Sequence, residues 1–316
     1  MTTALVFPGQ GSQTVGMGKA LAEAFPAARE VFQRVDAALG ESLSKLIFEG
    51  PDAELTLTAN AQPALMATSL AAFGVLESEA GLDVARDAAF VAGHSLGEYS
   101  ALCAAGALTL EDTVRLLRVR GAAMQQAVAV GEGAMAAILG LEFDAVTAIA
   151  AEAAQSGGVC QAANDNGGGQ VVISGAKSAV ERAMQIAKAK GARRALALPV
   201  SAPFHCALMQ PAAFAMAAAL ATTTILKPKA PLVANVSAGP LSDPEAIRAS
   251  LVSQVTGVVR WRESVQFMAA QGVDRFVEIG AGKVLAGLVK RIAANASAIS
   301  VGTPADVEAY KAARGA

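Results

Sequence analysis

The segment Gly93-His94-Ser95-Leu96-Gly97 concentrates the chemistry of the chain: a hydroxyl with a glycine two residues to either side. An apolar run from Ala88 to Ala92 before it predicts a strand, and Leu96 to Ala105 after it predicts a helix. Strand, sharp turn and helix make a nucleophile elbow, in which small residues let the backbone turn tightly enough to expose the serine oxygen. The start of the helix then directs its N–H groups and positive end toward that oxygen. A serine hydroxyl at its ordinary pKa is a weak nucleophile and needs a neighbouring base, most often histidine. The chain has 2 histidines. His94 adjoins the serine and should project away from it on a strand-turn geometry, so it is read as a packing or supporting residue. His205, in Ala202-Pro203-Phe204-His205-Cys206, is the candidate base by elimination. No motif names an acidic third member. Asp112, Asp144 and Asp165 are all permitted, although Asp112 reads as a helix cap and Asp165 as part of a turn, and a Ser-His dyad oriented by a carbonyl oxygen suffices.

Arginine supplies a second constellation. Thr109-Leu110-Glu111-Asp112 has the form of an N-cap followed by acids and opens a helix to about Val128. On it Thr113, Leu116, Leu117, Arg120 and Met124 share one stripe, while Arg115 and Arg118 fall off it. Arg120 therefore points inward, where a guanidinium is costly without an anion beside it. Periodicity favours a protein carboxylate as that anion and leaves an anionic ligand open. Other patterns are set aside. Gly280-Ala281-Gly282-Lys283 lacks the Ser or Thr after the lysine that a phosphate loop requires, and Gly131-Glu132-Gly133 opens a strand instead of following one. Two histidines and the scattered Cys103, Cys160 and Cys206 make no zinc set, and the cysteines read as small core residues. Lys188, Lys190, Arg193 and Arg194 read as a solvated helix end.

The elements that must position these residues alternate strand, turn and helix, which predicts an α/β fold with a parallel sheet. Thr3 to Phe7 is the first strand, followed by the turn Pro8-Gly9-Gln10-Gly11. The middle of the chain runs strand, helix, strand, strand, helix, strand between Gly133 and Val200, with the turn Asn164-Asp165-Asn166-Gly167-Gly168-Gly169 inside it; that order is ferredoxin-like. Further strands are predicted over Leu232 to Val236 and Arg275 to Ile279. We expect a large α/β domain over 1–128 and 202–316, interrupted by a ferredoxin-like subdomain over 129–201. Over 316 residues, 53% are hydrophobic and 16% charged, and the net charge is −2, a composition for a packed core and without the basic field of a nucleic-acid binder. The most apolar long stretch, Phe90 to Leu110, contains His94, Glu98 and Tyr99, so no membrane span is expected. No basic residue precedes Lys19 in the manner of a secretory signal, and a cytoplasmic protein is expected.

Several segments together carry a resemblance: Phe7-Pro8-Gly9-Gln10-Gly11-Ser12-Gln13, Gly93-His94-Ser95-Leu96-Gly97-Glu98-Tyr99-Ser100-Ala101-Leu102, Arg120-Gly121 with Met124-Gln125, Asn164, Pro203-Phe204-His205-Cys206-Ala207-Leu208-Met209, Gln254, and Glu278-Ile279-Gly280-Ala281-Gly282-Lys283-Val284-Leu285. In this order, over almost the whole chain, they resemble the malonyl-CoA:acyl carrier protein transacylases of type II fatty acid synthesis. The resemblance implies an α/β-hydrolase-like large domain with an inserted ferredoxin-like subdomain. It also implies a ping-pong transfer in which Ser95 takes malonyl from malonyl-CoA and passes it to the phosphopantetheine thiol of holo acyl carrier protein. His205 would be base and acid, Gln254 would orient it through a backbone carbonyl, and the N–H groups of Gln10 and Leu96 would form the oxyanion hole. Arg120 would bind the malonyl carboxylate, reversing the preference that periodicity alone suggests, and Phe204 would crowd a 2-methyl branch. No bound cofactor or metal is implied, and neither nucleic acid nor membrane is an expected partner. The second reading is a serine hydrolase such as a thioesterase, with the same nucleophile, base and oxyanion hole; the inward Arg120 argues against it, because simple acyl groups offer no carboxylate.

Overall fold

In the computed structural model, residues 1–200 and 202–315 are described; Ser201, at the expected junction of the two domains, and Ala316 lie outside the described residues. The main sheet combines β1 (Thr3–Phe7), β2 (Phe90–Gly93), β7 (Leu232–Val233), β8 (Pro240–Leu241), β9 (Arg275–Ile279) and β10 (Ser297–Val301), in the order β10-β9-β1-β2-β7-β8. All its pairings are parallel except β7 with β8. β1 is central, pairing Ala4 with Phe90 and Phe276 and Val6 with Ala92 and Glu278. A parallel strand covered on both faces must be apolar throughout, and Ala4, Leu5, Val6 and Phe7 are all fully buried. Leu5 and Phe7 belong to one core with the helix Thr58–Ala80, whereas Ala4 and Val6 belong to another with Trp261 and Met268 of the helix Trp261–Ala270.

Thr58–Ala80 is apolar around most of its circumference because it is enclosed on most sides. Pro63 lies inside it and cannot donate to the carbonyl of Ala59; Arg118 Nη1 donates to that oxygen instead, at 2.6 Å. The neighbouring helix Leu110–Gln126 starts at Thr109, whose hydroxyl accepts the N–H of Asp112 at 3.1 Å, a cap that contributes about 1 kcal/mol. The predicted stripe is buried along this helix, Arg120 included.

A second, antiparallel sheet comprises β3 (Gly133–Leu139), β4 (Cys160–Asp165), β5 (Gln170–Ala176) and β6 (Arg194–Ala197), in the order β4-β5-β3-β6. The helices Phe143–Ala154 and Lys177–Ala189 pack on it through a core of their own. The ferredoxin-like order read from the sequence is therefore present. One parallel bridge, Asn164 with Val259, ties this sheet to the strand-free segment before Trp261.

Four details differ from the sequence reading. The strand expected to reach Val200 ends at Ala197, after which Leu198 makes one more bond to Met135 O at 2.9 Å and Pro199 has no N–H to continue. The strand expected over Leu232 to Val236 ends at Val233, where the chain turns so that Ala238 N bonds to Ala234 O and Ala234 N to Gly239 O. Asp165 is the last residue of β4, buried and paired with Arg262 at 2.8 Å, and it serves the turn only through its Oδ1, which accepts Gly167 N–H at 3.2 Å. β10 and the helix Pro304–Gly315 were not anticipated. Among the described residues no helix is long and apolar enough to cross a membrane, and no cluster of acids, histidines and cysteines could hold a metal ion.

Candidate active site

Ser95 stands at the end of β2, with φ 54, in the left-handed region that a residue with a side chain enters at a cost. Its surroundings impose that geometry. A Cβ at Gly93 would lie 1.9 Å from the carbonyl carbon of Gly97, and one at Gly97 would lie 2.2 Å from Phe7 O, so only glycines permit the turn to pass so close to itself and to β1. Asn235 closes the turn from the side of β7: its Oδ1 accepts Ser95 N–H at 2.8 Å, and its Nδ2 donates to Gly93 O at 2.7 Å. The helix Gly97–Ala104 then leaves directly from the turn. Because β1 and β2 are neighbours, the Gly9-Gln10 turn after β1 runs alongside the elbow, and His94 N donates to Phe7 O at 3.0 Å. The N–H groups of Gln10 and Leu96 have no backbone acceptor among the described residues.

His205 arrives from the loop that follows the inserted sheet and is also left-handed, with φ 59. Its Nε2 is 2.7 Å from Ser95 Oγ, while its Nδ1 is 2.9 Å from Gln254 O and 3.1 Å from Gly257 O. Two carbonyl oxygens can only accept, so in the neutral ring Nδ1 carries the proton and Nε2 turns a lone pair to the serine hydroxyl. Burial first, and the nearby Arg120 charge second, push the His205 pKa down to about 3, so the ring is neutral at pH 7. Among the described residues no carboxylate takes part: Asp112 is bonded to Thr109, Asp165 to Arg262, and Asp144 is exposed at the start of its helix. His94 points elsewhere, with Nε2 3.0 Å from Asn166 Oδ1 and its ring against Trp261.

Arg120 is 1% exposed and reaches the same hydroxyl, with Nη2 3.1 Å from Ser95 Oγ. The carboxylate that periodicity favours as its partner is not in contact with it. Instead Nη1 donates to Gln62 Oε1 at 2.7 Å and Nη2 to Gln254 Oε1 at 2.8 Å, and Nε has no partner among the described residues. Neutral amides satisfy donors without neutralising the charge, which leaves a buried cation beside the Ser95 hydroxyl able to take an anion.

Two depressions, of about 660 and about 1070 Å³, share Gln10, Gly11, Asn164 and Leu198 and run between the main sheet's loops and the inserted sheet. Phe204 lines the larger one beside His205, and Asn164 Oδ1 is buried without a partner among the described residues. The structure thus brings Ser95, His205, Arg120, Gln254, Gln10, Leu96 and Phe204 to one place. Sequence reasoning missed Gln62 and Asn235. The available signal was a polar residue in an otherwise apolar stretch, Gln62 within Ala61 to Ala67 and Asn235 within Leu232 to Val236, but nothing in the spacing said which site they serve.

Comparison with known proteins agrees with this geometry. The acyl transferase domain family matches residues 4–306. The malonyl CoA-acyl carrier protein transacylase of Bacillus subtilis is 48% identical over 305 residues, covering 96% of this chain and 95% of the relative. That of Escherichia coli K12 is 49% identical over 306 residues, covering 97% of each. Among solved structures, the acyl-carrier-protein-S-malonyltransferase of Bartonella henselae superposes with a TM-score of 0.97 at 59% identity over 100% of both chains. A type II PKS acyl-carrier protein in complex with its malonyl-transacylase is similar to this chain with a TM-score of 0.95 at 44% identity, covering 99% of this chain and 100% of that one. With a serine held between a neutral histidine and a buried arginine, and with these likenesses over nearly its whole length, the chain belongs to the acyl transferase domain family.

Proposed function

We propose that this chain transfers the malonyl group of malonyl-CoA to the phosphopantetheine thiol of acyl carrier protein, supplying fatty acid synthesis in the cytoplasm. The observation that carries the reading is the Ser95 hydroxyl, 2.7 Å from His205 Nε2 and 3.1 Å from Arg120 Nη2. In the first half-reaction Ser95 Oγ attacks the thioester carbonyl and its proton passes to His205 Nε2. The N–H groups of Gln10 and Leu96 hold the tetrahedral oxyanion, the C–S bond breaks, and the coenzyme A sulfur leaves with the proton from His205. In the second half, the carrier's thiol gives its proton to His205 as its sulfur attacks the malonyl ester, and Ser95 recovers the proton when the C–O bond breaks. The Gln254 and Gly257 carbonyls steady the imidazolium formed in each half.

Arg120 binds the malonyl carboxylate through its fork, and Phe204 narrows the space beside the acyl group. The steps call for no bound cofactor, since coenzyme A enters as part of the substrate. A hydrolase would share every part except a use for Arg120. Steady-state transfer from malonyl-CoA and acetyl-CoA tests the reading. Arg120→Ala should reverse a malonyl preference by roughly 10³ to 10⁴, as sites built around a polar partner do when it is removed. Arg120→Lys should recover little, because a point charge does not reproduce the planar fork. A folded Arg120→Ala that still prefers malonyl contradicts the assignment.

A further inference from the structure

We infer that Glu98 is a positioning residue for acyl-group selection: through the side-chain amide of Gln254 it fixes the polarity of the contact that holds Arg120. The inference rests on the reading of Arg120 as the carboxylate site. Glu98 lies in the first turn of the helix after the elbow, three residues beyond Ser95, and is fully buried. Both carboxylate oxygens are engaged. Oε1 accepts the backbone N–H of Asn235, and Oε2 accepts Gln254 Nε2. Gln254 Nε2 also donates to Ser95 O at 2.9 Å, and Gln254 Oε1 accepts from Arg120 Nη2 at 2.8 Å.

A primary amide can occupy such a slot in two orientations that exchange its nitrogen and oxygen. Each Glu98 oxygen faces an N–H and accepts from it, and a guanidinium only donates. Glu98 at one end therefore draws the NH₂ toward itself and turns the carbonyl oxygen to Arg120. The flipped amide would set an NH₂ against the guanidinium and an oxygen against both Glu98 and the Ser95 carbonyl. The orientation that Glu98 selects draws Nη2 into line beside Ser95 Oγ, while Gln62 holds Nη1.

The same carboxylate reaches the nucleophile from its other side, since Asn235, whose N–H it accepts, holds Ser95 N–H at 2.8 Å. The acid is retained against a cost. Burial, opposed by its two hydrogen bonds and the Arg120 charge, pushes its pKa up to about 7.

The test compares kcat and KM for malonyl-CoA and acetyl-CoA in the full chain. Glu98→Gln keeps the shape but offers an NH₂ where one of two donors must be accepted. It should raise the malonyl KM and lower the malonyl-to-acetyl preference by about tenfold, with much smaller changes in either kcat. In a Gln254→Ala background the same substitution should change the preference by less than about twofold, because the route through the amide is already gone. Equal losses for both acyl groups, or an undiminished effect in the Gln254→Ala background, would overturn the inference. Should Glu98→Gln fail to fold, Glu98→Asp, which withdraws the carboxylate by one methylene, carries the same expectations. Arg120→Ala serves as the reference. If it keeps the malonyl preference, the carboxylate-site reading fails and the inference with it; if it loses the preference while Glu98→Gln keeps it, the inference alone fails.

Discussion

Ser95 and His205 face each other across 2.7 Å with nearly the same positive φ, 54 and 59, yet they are held there in different ways. A side chain in this region costs of order 1–3 kcal/mol, so each needs surroundings that over-determine it. For Ser95 much of that support is local in sequence: Gly93, Gly97, the end of β2 and the start of the following helix, all within a few residues. For His205 it is distant. The two carbonyls that receive its Nδ1 proton belong to Gln254 and Gly257, about fifty positions along the chain and near the end of the helix Pro244–Gln254. A catalytic residue fixed by its neighbours announces itself as a motif, whereas one fixed by remote backbone can be named only by elimination.

The sharpest break of this contrast is at the serine. Ser95→Ala should fold, because Asn235 bonds its N–H and not its hydroxyl, yet lose at least about 10⁴-fold of transfer. Circular dichroism with a coupled transfer assay checks both halves of that statement. Gly93→Ala, in contrast, drives a Cβ into the Gly97 backbone and should give little folded protein, read as a collapsed melting transition.

At the histidine the losses should be smaller. His205→Ala should lower the rate by about 10² to 10⁴ with the melting temperature little changed. His94→Ala should cost less than about tenfold in rate and act through packing against Trp261 and the Asn166 contact. Equal rate losses in two folded variants would contradict the division of roles between them.

How far the site could be read from sequence follows the same division. The elbow, the first strand, the ferredoxin-like order and the inward turn of Arg120 were legible because each is a local pattern: a glycine spacing, an apolar run or a helical stripe. The partners of Arg120 were not, since Gln62 and Gln254 lie 58 and 134 positions away and only packing brings them together. Gln254, Gln10 and Leu96 came from the resemblance, not from spacing. β10, as long as β1 and β9, escaped because two of its five residues, Ser297 and Ser300, interrupt the apolar run, as an edge strand paired only with β9 allows. Leu232 to Val236 looked like one strand because the bonds that bend it after Val233 involve Gly239 and Glu98, neither visible in the run itself.

A finer test uses pH. His205 is held below its ordinary 6.5 by burial and by Arg120, so it stays an unprotonated base where a free histidine is charged. Measured with acetyl-CoA, which makes no demand on the carboxylate site, kcat/KM should hold steady as pH falls through 6.5 and decline only further into acid. The stability sign agrees. A depressed folded pKa contributes stability that is present above 6.5 and is lost as pH falls toward about 3. An inflection of kcat/KM at 6.5 would show a solvated ring and undo the account of its burial.

In the proposed reaction Ser95 carries the malonyl group between two thiols. Intact mass followed by digestion, after brief mixing with malonyl-CoA and no carrier protein, tests it most directly. One malonyl group is expected, located on Ser95, absent from Ser95→Ala, and discharged when holo acyl carrier protein is added. Malonyl on another residue such as Cys103, or free malonate released with no adduct, would contradict it.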